Sequence, residues 1–267
     1  MQHISTLFNR FLTSHDYIFH FFHRSRFGED KAIYDIFFKV LTTDPGWNGK
    51  ESPLPKGTYI ELGAFDGRTE SNTMFFDKCL GWDGLLIEGQ SDSYEKVLLN
   101  RPRAVKLSFS PTCENENETV QFHNYSTLNS GLQGKAKTFD KKNWTVDVPC
   151  GPLTSVLQNV FGTINPISFL SLDVEGAEPM VLNVLDLNAI TIDVIMIETM
   201  NAHCPKGNCP NTHKVREHMA KLGKYDFFSN FVIASDIYVR LGTDAWKRAM
   251  AHTRLINHRH HHHHPTS

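Results

Sequence analysis

The chain has 267 residues, 40% of them hydrophobic and 21% charged, with a formal net charge of −2. This is an ordinary globular composition, sufficient for one large domain or two small ones, and the near-neutral balance excludes a global attraction to nucleic acid or anionic lipid. No run approaches the ~20 apolar residues of a membrane span, and the N-terminus lacks a charged start, an apolar core and a small-residue cleavage site. The expectation is therefore a chain with a small, roughly neutral partner, no nucleic acid and no membrane span. It is cytoplasmic by default, with the secretory-pathway lumen open if the N-terminus is truncated.

Residues 1–56 read as an N-terminal helical extension in which "YIFHFFHR" (Tyr17 to Arg24) packs on the main sheet, ending in the Pro- and Gly-dense loop "TTDPGWNGKESPLPKG". From Gly57 to residue 245, short β-rich runs alternate with helical patterns, the signature of stacked βα units and a mostly parallel sheet. "TYIELG" is the first strand, and the helix after it takes Ser71 as N-cap and stops at Gly81. "GLLIEG" is the second strand, followed by a helix with a capping-box spacing at Asp92 and Glu95; "AVKLSF" is the third. Residues 111–149, polar and containing pieces such as "TVQFHN", break the alternation and read as an insertion over the sheet. The pattern resumes with a helix near Leu153 to Val160, the strand "ISFLSLDVEG", a helix begun by Pro179 and the strand "IDVIMIET". "YDFFSNFVIASDIYVR" alternates as a terminal antiparallel hairpin, and 246–267, with its His tract, reads as a tail.

In an open parallel sheet, ligands sit beyond the carboxyl ends of the strands, where the chain turns into a helix. The turn "ELGAFDG" has the spacing E-x-G-x-x-x-G, whose glycines Gly63 and Gly67 let the backbone approach a ligand. A dinucleotide turn wants G-x-G-x-x-G, but Phe65 replaces the middle glycine and Asp66 puts negative charge where phosphates would lie. Glu61 and Asp66 instead favour a cationic ligand such as S-adenosylmethionine. Glu88, 21 residues after Gly67 at the end of the second strand, stands where a carboxylate accepts ribose hydroxyls. "SLDVEGAEPMVL" repeats the pattern of strand, carboxylates, glycine and helix start, placing Asp173 and Glu175 beside the reactive end of such a ligand, with Glu198 on the same rim. Glu178, before Pro179, reads equally well as a helix-dipole partner.

In order and spacing, "FGEDKAIYDIFF", "YIELGAFDGRTESNT", "GWDGLLIEGQSDSYEKVLLNRP" and "FLSLDVEGAEPMVL" resemble the FkbM-type S-adenosylmethionine-dependent methyltransferases, over about Phe27 to Arg240. The resemblance implies a class I methyltransferase (Rossmann-like) α/β fold: a mostly parallel seven-stranded sheet with helices on both faces. It implies methyl transfer to a hydroxyl, often of a sugar or glycosylated product. It also assigns Gly63, Ala64 and Gly67 to the cofactor turn, Ser71 and Asn72 to the start of the next helix, Glu88 to the ribose, and Glu29 and Asp30 of the "GED" motif to the methionine end.

A hydroxyl acceptor must lose its proton, and Asp173, Glu175, Glu198 and His203 are the candidate bases, with Asp173 and Glu175 preferred. Asp173 and Glu198 sharing a divalent ion is the alternative. "HCPKGNCPNTH" offers His203, Cys204, Cys209 and His213, types that suit zinc at a spacing that does not, and a Cys204–Cys209 disulfide or a lid loop reads as well. Five cysteines are too few for a disulfide scaffold, and the odd count favours a reducing compartment; sequons at Asn117, Asn124 and Asn143 would suit a lumenal one. The competing function is a non-catalytic nucleoside- or partner-binding module on the same fold.

Overall fold

The computed structural model of the protein describes residues 24–39, 56–123, 131–132, 145–162, 166–199, 209–229 and 231–261. A short helix α1 (Glu29–Ile33) runs into a π-helical turn (Tyr34–Phe38). There follow β1 (Thr58–Leu62), α2 (Met74–Lys78), β2 (Asp83–Ile87), α3 (Ser91–Asn100) and β3 (Val105–Leu107). A hairpin of β4 (Glu118–His123) and β5 (Thr145–Cys150) comes next, then α4 (Leu153–Phe161), β6 (Ile167–Leu172), α5 (Glu178–Asn183) and β7 (Ile192–Glu198). The chain closes with α6 (Pro210–Leu222), β8 (Tyr225–Phe228), β9 (Ser235–Arg240) and α7 (Asp244–His261).

The main sheet has seven strands in the order β3-β2-β1-β6-β7-β9-β8. The first five are parallel, and β9 and β8 add an antiparallel hairpin at one edge. This is the class I methyltransferase fold. Because strand side chains alternate between faces, each buried strand serves two cores. Tyr59, Phe169, Val194 and Met196 join Phe37, Phe75, Phe76 and Trp82 in an aromatic layer with α1, α2 and α7. Ile60, Leu170, Leu172, Ile195 and Ile197 join Leu153, Leu157, Val181, Val215 and Met219 in an aliphatic layer under α4, α5 and α6. β1 is buried at all five positions, the polar Thr58 and Glu61 included.

Several local expectations change. The helix after β1 starts at Met74, although the Ser71 hydroxyl still accepts from the Met74 N–H at 3.1 Å. The cap of α3 is Gln90, whose side chain accepts from the Ser93 N–H, so Asp92 and Glu95 do not make the box their spacing suggested. The second half of the "HCPKGNCPNTH" loop is helical from Pro210. Most of 246–267, read as a tail, belongs to α7; Ala245 and Ala249 are buried, and the Arg248 guanidinium donates to the Phe37 carbonyl.

The 111–149 segment is anchored by an antiparallel ladder with Gln121 opposite Asp147 and by a Cys113–Cys150 disulfide spanning 37 residues. A loop of that size restricts the unfolded chain by about 4 kcal/mol in the loop-entropy account. Cys209 is disulfide-bonded as well. A disulfide sulfur is not the thiolate that zinc needs, so the four-residue zinc reading of that loop fails. Among the described residues, Cys79 has the free thiol.

Candidate functional site

The strand order reverses between β1 and β6, which run parallel with Leu62 opposite Leu172. The next residues, Gly63 and Asp173, therefore meet at the top of the sheet, and the Asp173 N–H donates to the Leu62 carbonyl at 3.2 Å. A Cβ on Gly63 would lie 1.8 Å from the Asp173 carbonyl oxygen, and its φ is +78°. No other residue fits there. β6 in turn pairs with β7, Leu172 opposite Ile197, so the register sets Asp173 beside Glu198.

Over this switch point lies a cavity of about 380 Å³. Of the sequence-derived residues, Glu29, Gly63, Phe65, Asn72, Glu88, Asp173, Glu175 and Glu198 line it. Glu88 sits just past β2 and receives N–H donors from Phe65 at 2.7 Å and Gln90 at 2.8 Å, one on each oxygen. Burial pushes its pKa up to about 7, against the pull of those N–H groups. The turn itself is strained: Phe65, Glu70, Glu175 and Ala234 all have positive φ and all line the cavity. Backbone strain in non-glycine residues concentrates at functional sites.

Other expected ligand residues sit behind the wall. Glu61 does not face the cavity. Its oxygens accept from the Asn72 N–H at 2.7 Å, the Ser71 hydroxyl at 2.9 Å and the Thr73 hydroxyl at 2.6 Å. The wholly buried Arg101 completes the group, reaching Glu61 at 3.5 Å, Asp77 at 2.7 Å and the Gly67 carbonyl at 3.2 Å. Glu61, Ala64, Gly67 and Ser71 thus build the turn and do not line the cavity. Asp66 accepts from the N–H groups of Arg68 and Thr69 and from the Thr69 hydroxyl, which makes it a turn-closing aspartate outside the cavity lining. Asp30 is buried and bonded to Ser25 and the Lys31 N–H, leaving Glu29 as the member of its motif that reaches the cavity. His203 lies outside the described residues.

The β6 and β7 rim is a knot of carboxylates. Asp173, Glu178 and Glu198 each offer an oxygen within 4.8 Å of the others. Glu178, read from sequence as a helix-dipole group, is buried; one oxygen accepts from the Val174 and Gly176 N–H groups at 3.1 and 3.0 Å, and the other has no hydrogen bond. Burial raises every member. Glu175 is pushed up to about 8 by burial and then by the neighbouring Asp173 and Glu178 charges. Glu198 is pushed up to about 10 by burial and then by the neighbouring Asp173 charge, and burial raises Asp173 itself to about 6. Carboxyls this close resist ionising together, so the pair favours holding a proton between them.

Arg26, Glu70, Gln90, Phe109, Phe122 and Leu132 also line the cavity and were not singled out from the sequence. Arg26 adjoins one of the family motifs, and Glu70 and Gln90 lie within two others. Phe122 and Leu132 sit on the insertion, where no pattern marks them.

Residues 61–226 match the family model for the "Methyltransferase FkbM domain". Among curated proteins there is no match. Among solved structures, the chain is similar to fibrillarin from Aeropyrum pernix with natively bound S-adenosyl-L-methionine, at 9% identity and a TM-score of 0.39, covering 72% of this chain and 69% of that one. It is also similar to methyltransferase FkbM from Methylobacillus flagellatus KT, at 10% identity and a TM-score of 0.38, covering 83% and 57% respectively. Likenesses this distant add no argument about the site.

Proposed function

The chain belongs to the FkbM methyltransferase family, and on that premise we propose that it O-methylates a hydroxyl of a sugar, glycan or small molecule, with Asp173 as general base. The observation that carries this reading is the lining of the cavity at the switch point. Its lining residues include six carboxylates (Glu29, Glu70, Glu88, Asp173, Glu175 and Glu198) and one guanidinium, Arg26. Even with Glu175 and Glu198 protonated, the remaining carboxylates outnumber the guanidinium, so the surface favours a cationic ligand over phosphate, which supports a sulfonium donor and speaks against nucleic acid as acceptor.

When bound, S-adenosylmethionine supplies an electrophilic methyl group on a positively charged sulfur. The residues fit it. Glu88 keeps a free lone pair on each oxygen for ribose hydroxyls, and Gly63 removes the side chain that would close the turn. Glu29 reaches the cavity from α1 as a carboxylate for an ammonium. Asp173, at the carboxyl end of the neighbouring strand and beside Glu198, takes the acceptor's proton as the oxygen attacks; a positioned base typically contributes 10²–10⁴-fold. Glu175, protonated near neutrality, donates a hydrogen bond to the acceptor.

A divalent ion held by Asp173, Glu178 and Glu198 is a second reading, favoured by their spacing and by the unbonded Glu178 oxygen. Incubation with methyl-labelled S-adenosylmethionine and a panel of hydroxyl acceptors tests both. Label in a methyl ether, undiminished by exhaustive chelation, supports the proton-sharing pair, and label lost on chelation moves the mechanism to the ion. Cofactor binding with no label in any acceptor turns the reading toward a binding module.

A further inference from the structure

The insertion packs against the cofactor side of the cavity. Its β4 strand carries Phe122 to within 2.5 Å of where a Cβ on Gly89 would stand, so that glycine, next to Glu88, admits the ring. The His123 N–H donates to the Gly131 carbonyl at 3.1 Å, and Phe122 bridges to Leu132, which brings both partners into the lining beside Phe122. Phe109, whose N–H donates to the Glu88 carbonyl at 3.3 Å, and Ser110, Pro111 and Thr112 continue the lining from the end of β3.

Covalent and backbone bonds fasten the two halves. Ser110 donates its N–H to the Pro149 carbonyl at 2.9 Å and pairs with Cys150, while the Gly151 N–H returns to the Ser110 carbonyl at 3.4 Å. The Cys113–Cys150 disulfide closes the insertion at this point. Cys150 is buried, and the Thr112 hydroxyl lies 4.0 Å from its sulfur. The bond thus locks a stretch whose neighbours, Ser110 and Thr112, face the cavity.

We propose that the β4–β5 hairpin is the outer wall of the nucleoside half of the site, with Phe122 and Phe109 against the base, and that the Cys113–Cys150 bond holds this wall in its binding position. Cofactor affinity then depends on the oxidation state of one disulfide, and the protein works in an oxidising compartment, where such bonds persist. The proposal rests on the cofactor reading above. Two-electron reduction by a dithiol breaks the sulfur–sulfur bond, leaves two protonated thiols and converts the dithiol to its own disulfide.

The test is calorimetric titration of the full chain with S-adenosylhomocysteine, oxidised and after dithiothreitol treatment, alongside the double variant C113S/C150S. Phe122→Ala and Phe122→Leu, both with the disulfide intact, form the second arm. A base set against an aromatic ring loses about tenfold in affinity when the ring is removed. Reduction, the double variant and Phe122→Ala should each weaken binding by about that factor, with Phe122→Leu recovering most of it. If the double variant does not fold, the Phe122 pair decides alone. Tight binding that ignores every change overturns the wall and leaves the cofactor reading standing; no binding by the folded, oxidised wild type overturns the cofactor reading itself.

Discussion

Two groups of carboxylates stand at the ends of adjacent strands, and their surroundings could hardly differ more. At β1, Glu61 is met by a backbone N–H, two hydroxyls and the buried Arg101, whose guanidinium also holds Asp77 and lies over the Tyr59 ring at 5.2 Å. At β6 and β7, Asp173, Glu175, Glu178 and Glu198 crowd together, and the guanidinium near them is Arg26, whose side chain is 63% exposed. Burial raises the pKa values of the second group, while the first is neutralised by its partners. A carboxylate held against a buried guanidinium builds structure; one crowded by other carboxyls and raised by burial is available for chemistry.

Breaking the first group should give the largest effect on stability. Arg101→Ala leaves Glu61 and Asp77 buried without their cation, and denaturant unfolding should show a loss of about 3–5 kcal/mol. Breaking the second should act on rate instead. Asp173→Asn should lower turnover by about 10²–10⁴-fold while S-adenosylhomocysteine affinity and unfolding midpoint stay near wild type; equal losses of affinity and turnover would place Asp173 with the structural group.

Glu88 belongs to neither extreme, being bonded on both oxygens yet raised to about 7. Ribose hydroxyls donate to its ionised form, so cofactor affinity should fall as pH drops below about 7 and stay level above it. Glu88→Gln should bind more weakly and flatten that profile; an unchanged profile would remove Glu88 from the ribose. The smallest effect is expected at Glu175. Its folded pKa, about 8, lies above its unfolded value, so the stability linked to its proton is fully present below about 4.5 and is lost as pH rises through 8. Thermal melts of Glu175→Gln should match wild type near pH 4 and exceed it near pH 9.

Much of this was legible in the residues. Glycine spacing, strand-end carboxylates and the alternation of short apolar runs located β1, β2, β6 and β7 and the cavity above them, because those signals are local. The role of Glu61 was not, since the cation that answers it arrives from 40 positions along the chain. Phe122 was invisible for a similar reason: its place in the lining depends on Gly89 and on a strand partner more than twenty residues away. Cysteine count pointed toward a reducing compartment, whereas pairing depends on which thiols the hairpin brings together. The His tract drew attention from the apolar face of α7, which packs against the N-terminal segment.

The most direct measurement is calorimetry of S-adenosylmethionine binding to the wild type, Asp173→Asn and Glu88→Ala side by side. The account predicts micromolar binding by the wild type and by Asp173→Asn, and its loss in Glu88→Ala. Folded wild-type protein that does not bind S-adenosylmethionine, or a Glu88→Ala variant that binds it as tightly as the wild type, would contradict it.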